Sequence, residues 1–487
     1  MSKFQPLSFY AEGGSKNYRL LPFRFSALDS ERYVLTNLAG EFHILQRDDL
    51  RSFAEHRLPP DDPIYIDLRS KQFLLDAHNE IAPELLALKV RTKFDRLAEF
   101  TALHIFVVSL RCEHSCPYCQ VSRQSEDKAA FDMSPEVAEK ALNLVFRSPS
   151  RAIKIEFQGG EPLLNFELIR KIVLSAEERN RTANKLVGFV IATNLALVDR
   201  EILEFCKHHQ IQISTSLDGP SDLHNKNRPR PGRDSYERAV AGIQLVREVL
   251  GHDQVSALMT TTQSSLGRAR EIIDEYIRLE FGGIFLRQLS PYGFAIKTKS
   301  YKAYDVDKWL DFYKQGLSYI IELNKRHIPF QEYYASTVLA KMLTSTDPGY
   351  VDLMNPSGIG IAAIVYNYDG WVHASDESRM LAEMGDNTFR LGNVITDTYE
   401  AIFTSEALLS PLEESFTLSA PMCTDCAFEP FCGADPVFHH ATSGDYLGRK
   451  AESDFCKRNM TIFKHLISLM EGDRFTKELF TRWANRG

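Results

Sequence analysis

"RCEHSCPYCQ", residues 111–120, places Cys112, Cys116 and Cys119 close together in a chain that holds 8 cysteines in 487 residues. A zinc knot needs a fourth ligand nearby, and the next cysteine along the chain is Cys206. A disulfide would leave one of the three sulfurs over. The opening "MSKFQPLSFYAEGG" lacks the apolar core and small-residue cleavage site of a signal peptide. A cytoplasmic protein with reduced thiols is therefore expected, and in that compartment clustered cysteines bind metal or do redox chemistry.

The triplet follows "LHIFVVSL", a continuous apolar run that reads as a buried parallel strand. Five more such runs come after it: "AIKIEFQ", "LVGFVIAT", "IQISTSL", "VSALMT" and "GIFLRQL". Helical spacing separates them. In "SYERAVAGIQLVREVL", Tyr236, Val240, Ile243, Val246 and Leu250 share one face. "SPEVAEKALNLV" opens with Ser134 as cap, Pro135 in the first turn and Glu136 at the positive end of the dipole. Strand–helix repeated six times, with right-handed crossovers, predicts an α/β fold built on an open, partial (β/α)6 barrel. Chemistry in β/α barrels sits at the C-terminal ends of strands, where the three cysteines lie.

The flanks read differently. Residues 1–98 carry short half-buried strands ("YRLLPFRFSA", "RYVLTNLA", "EFHILQ") and a charged helical stretch, predicting a small α+β or winged-helix module. Residues 99–344 form the barrel. From 345 to 487 the strands shorten, turns multiply and four more cysteines appear, marking a third domain. Net charge is −8 with 44% hydrophobic and 25% charged residues. Nothing global recommends a nucleic acid or an anionic membrane as partner, and no apolar run reaches the ~20 residues of a membrane span. The basic cluster "RPRPGR" (Arg228, Arg230, Arg233) is short enough for a solvated turn or a carboxylate or phosphate contact.

Three thiolates can hold three irons of a cubane and leave the fourth open to a small molecule. Tyr118 can shield the cluster edge. C-x3-C-x2-C after the first strand of a partial barrel resembles the radical S-adenosylmethionine (radical SAM) superfamily. "FQGGEPLL" supplies Gly159, Gly160, Glu161 and Pro162, similar to that family's GGEP motif. Paired glycines permit close backbone approach. The resemblance implies a [4Fe–4S] cluster whose open iron binds SAM, and reductive cleavage to a 5′-deoxyadenosyl radical. It also implies that Glu161 accepts from the methionine ammonium. Thr193 and Asn194 of "ATN", Ser216 and Asp218 of "SLDGP", and Arg228 of "HNKNR" fall where relatives hold the ribose and carboxylate.

"CTDCAFEPFC" gives Cys423, Cys426 and Cys432, and Cys456 follows in "DFCKRN". Four such cysteines can close a zinc site or an iron–sulfur cubane. The spacing resembles the SPASM domain of radical SAM peptide maturases, which usually carries two auxiliary clusters. Pro436, Ser375 and the region of Ser357 stand where the fuller pattern has cysteine. One auxiliary [4Fe–4S] cluster is therefore expected, making two in all. Cys206 reads as a packed apolar residue.

Domain order, "LGNV" (Leu391 to Val394) and "CGADPVFHHATSGD" are similar to the B-type maturase of His-Xaa-Ser peptide systems. That likeness implies a ribosomal precursor peptide as substrate, an external flavodoxin- or ferredoxin-type electron donor, and a second, paired maturase. The N-terminal strands would then hold a leader segment by strand addition or simply cap the barrel. Asp376 is the candidate proton acceptor, placed by analogy with sulfatase maturases, and His439 and His440 are further candidates. The rival functions are a sulfatase-type formylglycine maturase and a non-catalytic iron–sulfur or zinc scaffold.

Overall fold

The structure, a computed structural model, describes residues 17–302, 304–345 and 347–485. The opening stretch read for signal features lies outside them. Among the described residues no helix is long and apolar enough to cross a membrane.

The N-terminal module begins with β1 (Arg19–Leu20) and an antiparallel sheet of β2 (Phe23–Ala27), β3 (Arg32–Asn37) and β4 (Phe42–Gln46). Helices Arg47–Ala54 and Pro63–Ser70 follow, and β5 (Leu74–Leu75) returns to pair with β1. Tyr18, Leu35, Leu45, Phe53, Tyr65 and Phe73 fill its own small core.

The barrel contributes five parallel strands: β6 (Leu103–Ser109), β7 (Ala152–Gly159), β8 (Leu186–Thr193), β9 (Ile211–Ser216) and β10 (Val255–Leu258). Their apolar residues pack beneath amphipathic crossover helices, as the two periodicities predict. Helix Pro135–Val145 is capped by Ser134, whose hydroxyl accepts from the Val137 N–H at 3.2 Å. Helix Ser235–Leu250 buries Ile243 and Val246, with Tyr236, Val240 and Leu250 half-buried.

The sixth run departs from expectation. Only Gly283–Ile284 (β11) is strand, and it pairs with β12 (Gln331–Glu332) outside the main sheet. The reason is a side chain distant in sequence: the buried Glu332 carboxylate accepts from the Leu286 N–H at 3.0 Å, taking the place of a ladder partner. The sheet instead grows on its other side. From the C-terminal region, β13 (Ala363–Tyr366) adds parallel to β6, followed antiparallel by β14 (Trp371–His373) and β15 (Arg390–Asn393). The order is β10-β9-β8-β7-β6-β13-β14-β15, so one sheet crosses the expected boundary at residue 345.

Candidate active site

The strand ends build the site. The β6–β7 register shifts between Val107 and Ser109, and such a bulge re-aims a strand end. The chain leaves β6 directly into the cysteine loop. On the neighbouring strand end, Gly160 N donates to Ser109 O at 2.9 Å and Glu161 N to Arg111 O at 2.8 Å. Gly159 has φ +136, and a Cβ there would lie 1.9 Å from Ser109 O; one on Gly160 would lie 2.3 Å from Arg111 O. The paired glycines thus admit the backbone of the cysteine loop itself.

That loop is clamped on its far side by a segment the sequence did not single out. Phe294 N donates to Cys119 O at 2.8 Å, and Thr298 Oγ1 to Pro117 O at 2.9 Å. Gly293, at φ +58, leaves only 2.4 Å between a would-be Cβ and Gln120 O. Arg111 braces the start of the loop through two bonds to Asp132, at 2.7 and 2.8 Å.

Cys112, Cys116 and Cys119 line a cavity of about 660 Å³ at the C-terminal ends of the strands. Tyr118, Gly159, Gly160, Asn194, Ser216, Arg228 and Asp376 share its walls. Behind Tyr118 stands a buried triad. Asp218 accepts from Arg228 Nε and Nη2 at 3.0 and 3.1 Å, and from the Tyr118 hydroxyl at 2.6 Å. The guanidinium also lies over the Tyr118 ring, 5.6 Å from its centroid. Burial disfavours the Asp218 charge, yet Arg228 and His224 hold the carboxyl below its usual range. Sequence reasoning found Tyr118 and Arg228 but assigned neither to Asp218.

Glu161 and Pro162 are absent from this wall. Glu161 is 0% exposed and turns inward. It accepts from Leu163 N at 3.0 Å, Thr193 Oγ1 at 2.7 Å and Asn194 N at 2.9 Å. Burial, with Glu113 close by, raises it above the ordinary carboxylate range. Its carboxylate ties the ends of β7 and β8 together, and Pro162 starts the short 3-10 turn it caps. Asp376 reaches the cavity but is engaged by Arg379 at 3.2 Å. His439 is buried against Asp435 O and Ser453 Oγ, and His440 bonds Asp386; neither lines the cavity.

The donor set fits an iron–sulfur cluster. Burial pushes the Cys112 thiol up and Cys116 to about 12, and Cys112 with Cys116, then Cys116 with Cys119, lie close enough to oppose each other's charge. Ligation to metal relieves that cost by binding the thiolate. Cys423, Cys426, Cys432 and Cys456 likewise act on one another electrostatically. Among the described residues, the group of three or more donors within 4.8 Å of one another is Cys112, Glu113 and His114. Three thiolates at the first site and four at the second are the ligand numbers of an open and of a fully ligated cubane. Cys206 is fully buried.

Residues 106–263 match the radical SAM superfamily. They are a radical SAM domain. Curated relatives are matched in part. Radical SAM cyclopropyl synthase TigE of Paramaledivibacter caminithermalis is 26% identical over 266 residues, 50% of this chain and 52% of its own. An uncharacterized Methanocaldococcus jannaschii protein is 31% identical over 144 residues, 29% of this chain and 48% of its own. The chain thus spans about half the length of these relatives. The cysteine-type anaerobic sulfatase-maturating enzyme of Clostridium perfringens is 22% identical over 344 residues, covering 68% and 87%. Among solved structures, anSMEcpe with bound AdoMet superposes with a TM-score of 0.62 at 18% identity, over 79% of this chain and 99% of its own. Streptococcus suis SuiB bound to precursor peptide SuiA reaches 0.52 at 14% identity, over 90% and 99%. The fold shared with both extends past the radical SAM domain.

Proposed function

We propose that this chain is a radical SAM enzyme that modifies a ribosomally made precursor peptide. One observation carries the reading: three cysteines meet Gly160, Asn194, Ser216 and Arg228 on one cavity wall, at the ends of parallel strands. Cys112, Cys116 and Cys119 would hold the catalytic [4Fe–4S] cluster, with SAM beside it. When bound, the pair supplies a 5′-deoxyadenosyl radical able to take hydrogen from an unactivated carbon.

The chain's own residues do the rest. Arg228, locked by Asp218, presents a fixed cation to the cofactor's carboxylate, while Asn194 and Ser216 offer polar groups to its ribose. Glu161 acts by position, holding Asn194 and the Gly160 turn in place. Leu103, Ile105, Leu258 and Met259 add an apolar wall that excludes water from a reactive intermediate. Cys423, Cys426, Cys432 and Cys456 would hold one auxiliary [4Fe–4S] cluster, fully ligated and so without an open iron. An external flavodoxin- or ferredoxin-type donor in the cytoplasm would supply the electron, and a second maturase would act on the same peptide.

Peptides as substrate class are supported by the relatives' names: a sulfatase-maturating enzyme, and SuiB bound to a precursor peptide. The same relatives favour formylglycine formation as a second reading. Against it, Ser375 caps helix Asp376–Ala382 through a capping box, and Pro436 opens helix Pro436–Ser443 behind Asp435. Two lost cysteine positions have become helix starts. The test is anaerobic incubation with SAM and dithionite, then with the peptide encoded beside the chain. An enzyme yields 5′-deoxyadenosine and a mass or deuterium change in the peptide; a scaffold yields neither. Conversion of a sulfatase-derived Cys peptide to formylglycine would instead select the second reading.

A further inference from the structure

Behind one wall of the main cavity lies a smaller one of about 40 Å³, room for about two or three waters. Tyr292 and Trp309 line it, 1% and 2% exposed. Neither the Tyr292 hydroxyl nor the Trp309 indole Nε1 has a hydrogen-bond partner among the described residues. An unpaired buried donor costs about 1–3 kcal/mol, so two of them on residues that line one space point to water. Asp435 and Arg458 line the same space.

The two cavities share a wall made of Phe285, Arg287, Tyr350, Asp352 and Glu377. Of its two carboxylates, Glu377 stands beside Asp376, yet the two are differently held. Asp376 is bonded to Arg379, whereas the nearest cation to Glu377 is Arg287 Nη2 at 3.9 Å, beyond hydrogen-bond range. The charged and titratable groups facing Glu377 are Arg287, Tyr350, Asp352 and Asp376, with Asp435 and Arg458 across the small cavity. Burial, then the Asp352 and Asp376 carboxylates, push Glu377 up to about 7, where a group can both take and give a proton.

We propose that the smaller cavity is a water-filled proton relay and that Glu377 is its substrate-side end, exchanging a proton with the residue bound in the main cavity. The Glu377 carboxylate accepts one proton as the donor's bond to hydrogen breaks, then yields it to the adjoining water. No electron moves in this step and no co-reactant is consumed. Identifying the donor as a peptide residue rests on the proposed function; the relay itself does not.

The test uses the reconstituted holoprotein with water and protons as probes. A high-resolution crystal structure is expected to place ordered water on Trp309 Nε1 and the Tyr292 hydroxyl. Infrared difference spectra are expected to contain a protonated-carboxyl band, shifted in D2O, that vanishes as pH rises through about 7. Glu377→Gln should abolish that band at unchanged iron content, and a Tyr292→Phe, Trp309→Phe double variant should move its midpoint. A dry cavity, or the same band in Glu377→Gln, overturns the proposal. Neither readout involves SAM, so failure to form 5′-deoxyadenosine would count against the proposed function alone.

Discussion

At the residue scale, the buried triad of Tyr118, Asp218 and Arg228 is the most consequential arrangement near the cysteines. Removing one partner of a buried pair strands the other's charge at about 3–5 kcal/mol. Asp218→Ala should therefore cost about that much in urea unfolding. Because the folded carboxyl lies below its unfolded value, its stabilisation is complete above the unfolded pKa, about 3.9. It is lost as pH falls through the lower folded value. Asp218→Asn should accordingly flatten the acid limb of stability against pH, and an unchanged limb would rule the ion pair out as its source. Cysteines and paired glycines were legible because their chemistry is narrow. The direction of Glu161 was not, since a strand-end carboxylate can face a cavity or its own loop with the same sequence. Glu377 was passed over because Asp376, its neighbour, fitted the motif.

At the element scale, five of the six barrel strands followed from apolar runs, and helix starts from caps such as Ser134. The sixth strand failed because its pairing is decided by Glu332, some 46 residues on, which no local pattern reveals. The loop after β7 is held to the cysteine loop through glycines that tolerate no Cβ. Gly159→Ala and Gly160→Ala should each lower iron at the N-terminal site while the C-terminal cluster persists, seen as loss of about half the iron per chain. Equal loss from both sites would mean general misfolding instead. The helix start at Ser375 leads to a second expectation. Ser375→Cys should leave iron content unchanged, because Ser357 and Pro436 still lack thiols. A gain of about four irons would mean that the second auxiliary site survives.

At the scale of the whole molecule, the N-terminal module is seated on the second cysteine loop. Arg24 bonds Glu429 at 2.8 Å and Thr424 O at 2.6 Å, and Thr36 Oγ1 donates to Ala427 O at 2.6 Å. Arg24 and Glu429 side chains are 10% and 4% exposed. Arg24→Ala should loosen this seat, read as faster proteolysis between the module and β6; an unaltered digest would place the holding energy elsewhere, for example in the Phe42–Phe431 contact. The sequence offered the module and the cysteines separately. Their contact joins residues about 400 positions apart, and no pattern in one chain announces that.

The claim on which all of this rests is that the two cysteine sets hold two cubanes. Its most direct test is anaerobic reconstitution with iron and sulfide quantitation, for the wild type and for a Cys112→Ala, Cys116→Ala, Cys119→Ala variant. About eight irons per chain, falling to about four in the variant, is the expected result. A wild type holding about four irons and one zinc would make the C-terminal site structural. A variant that loses no iron would contradict the account at its root.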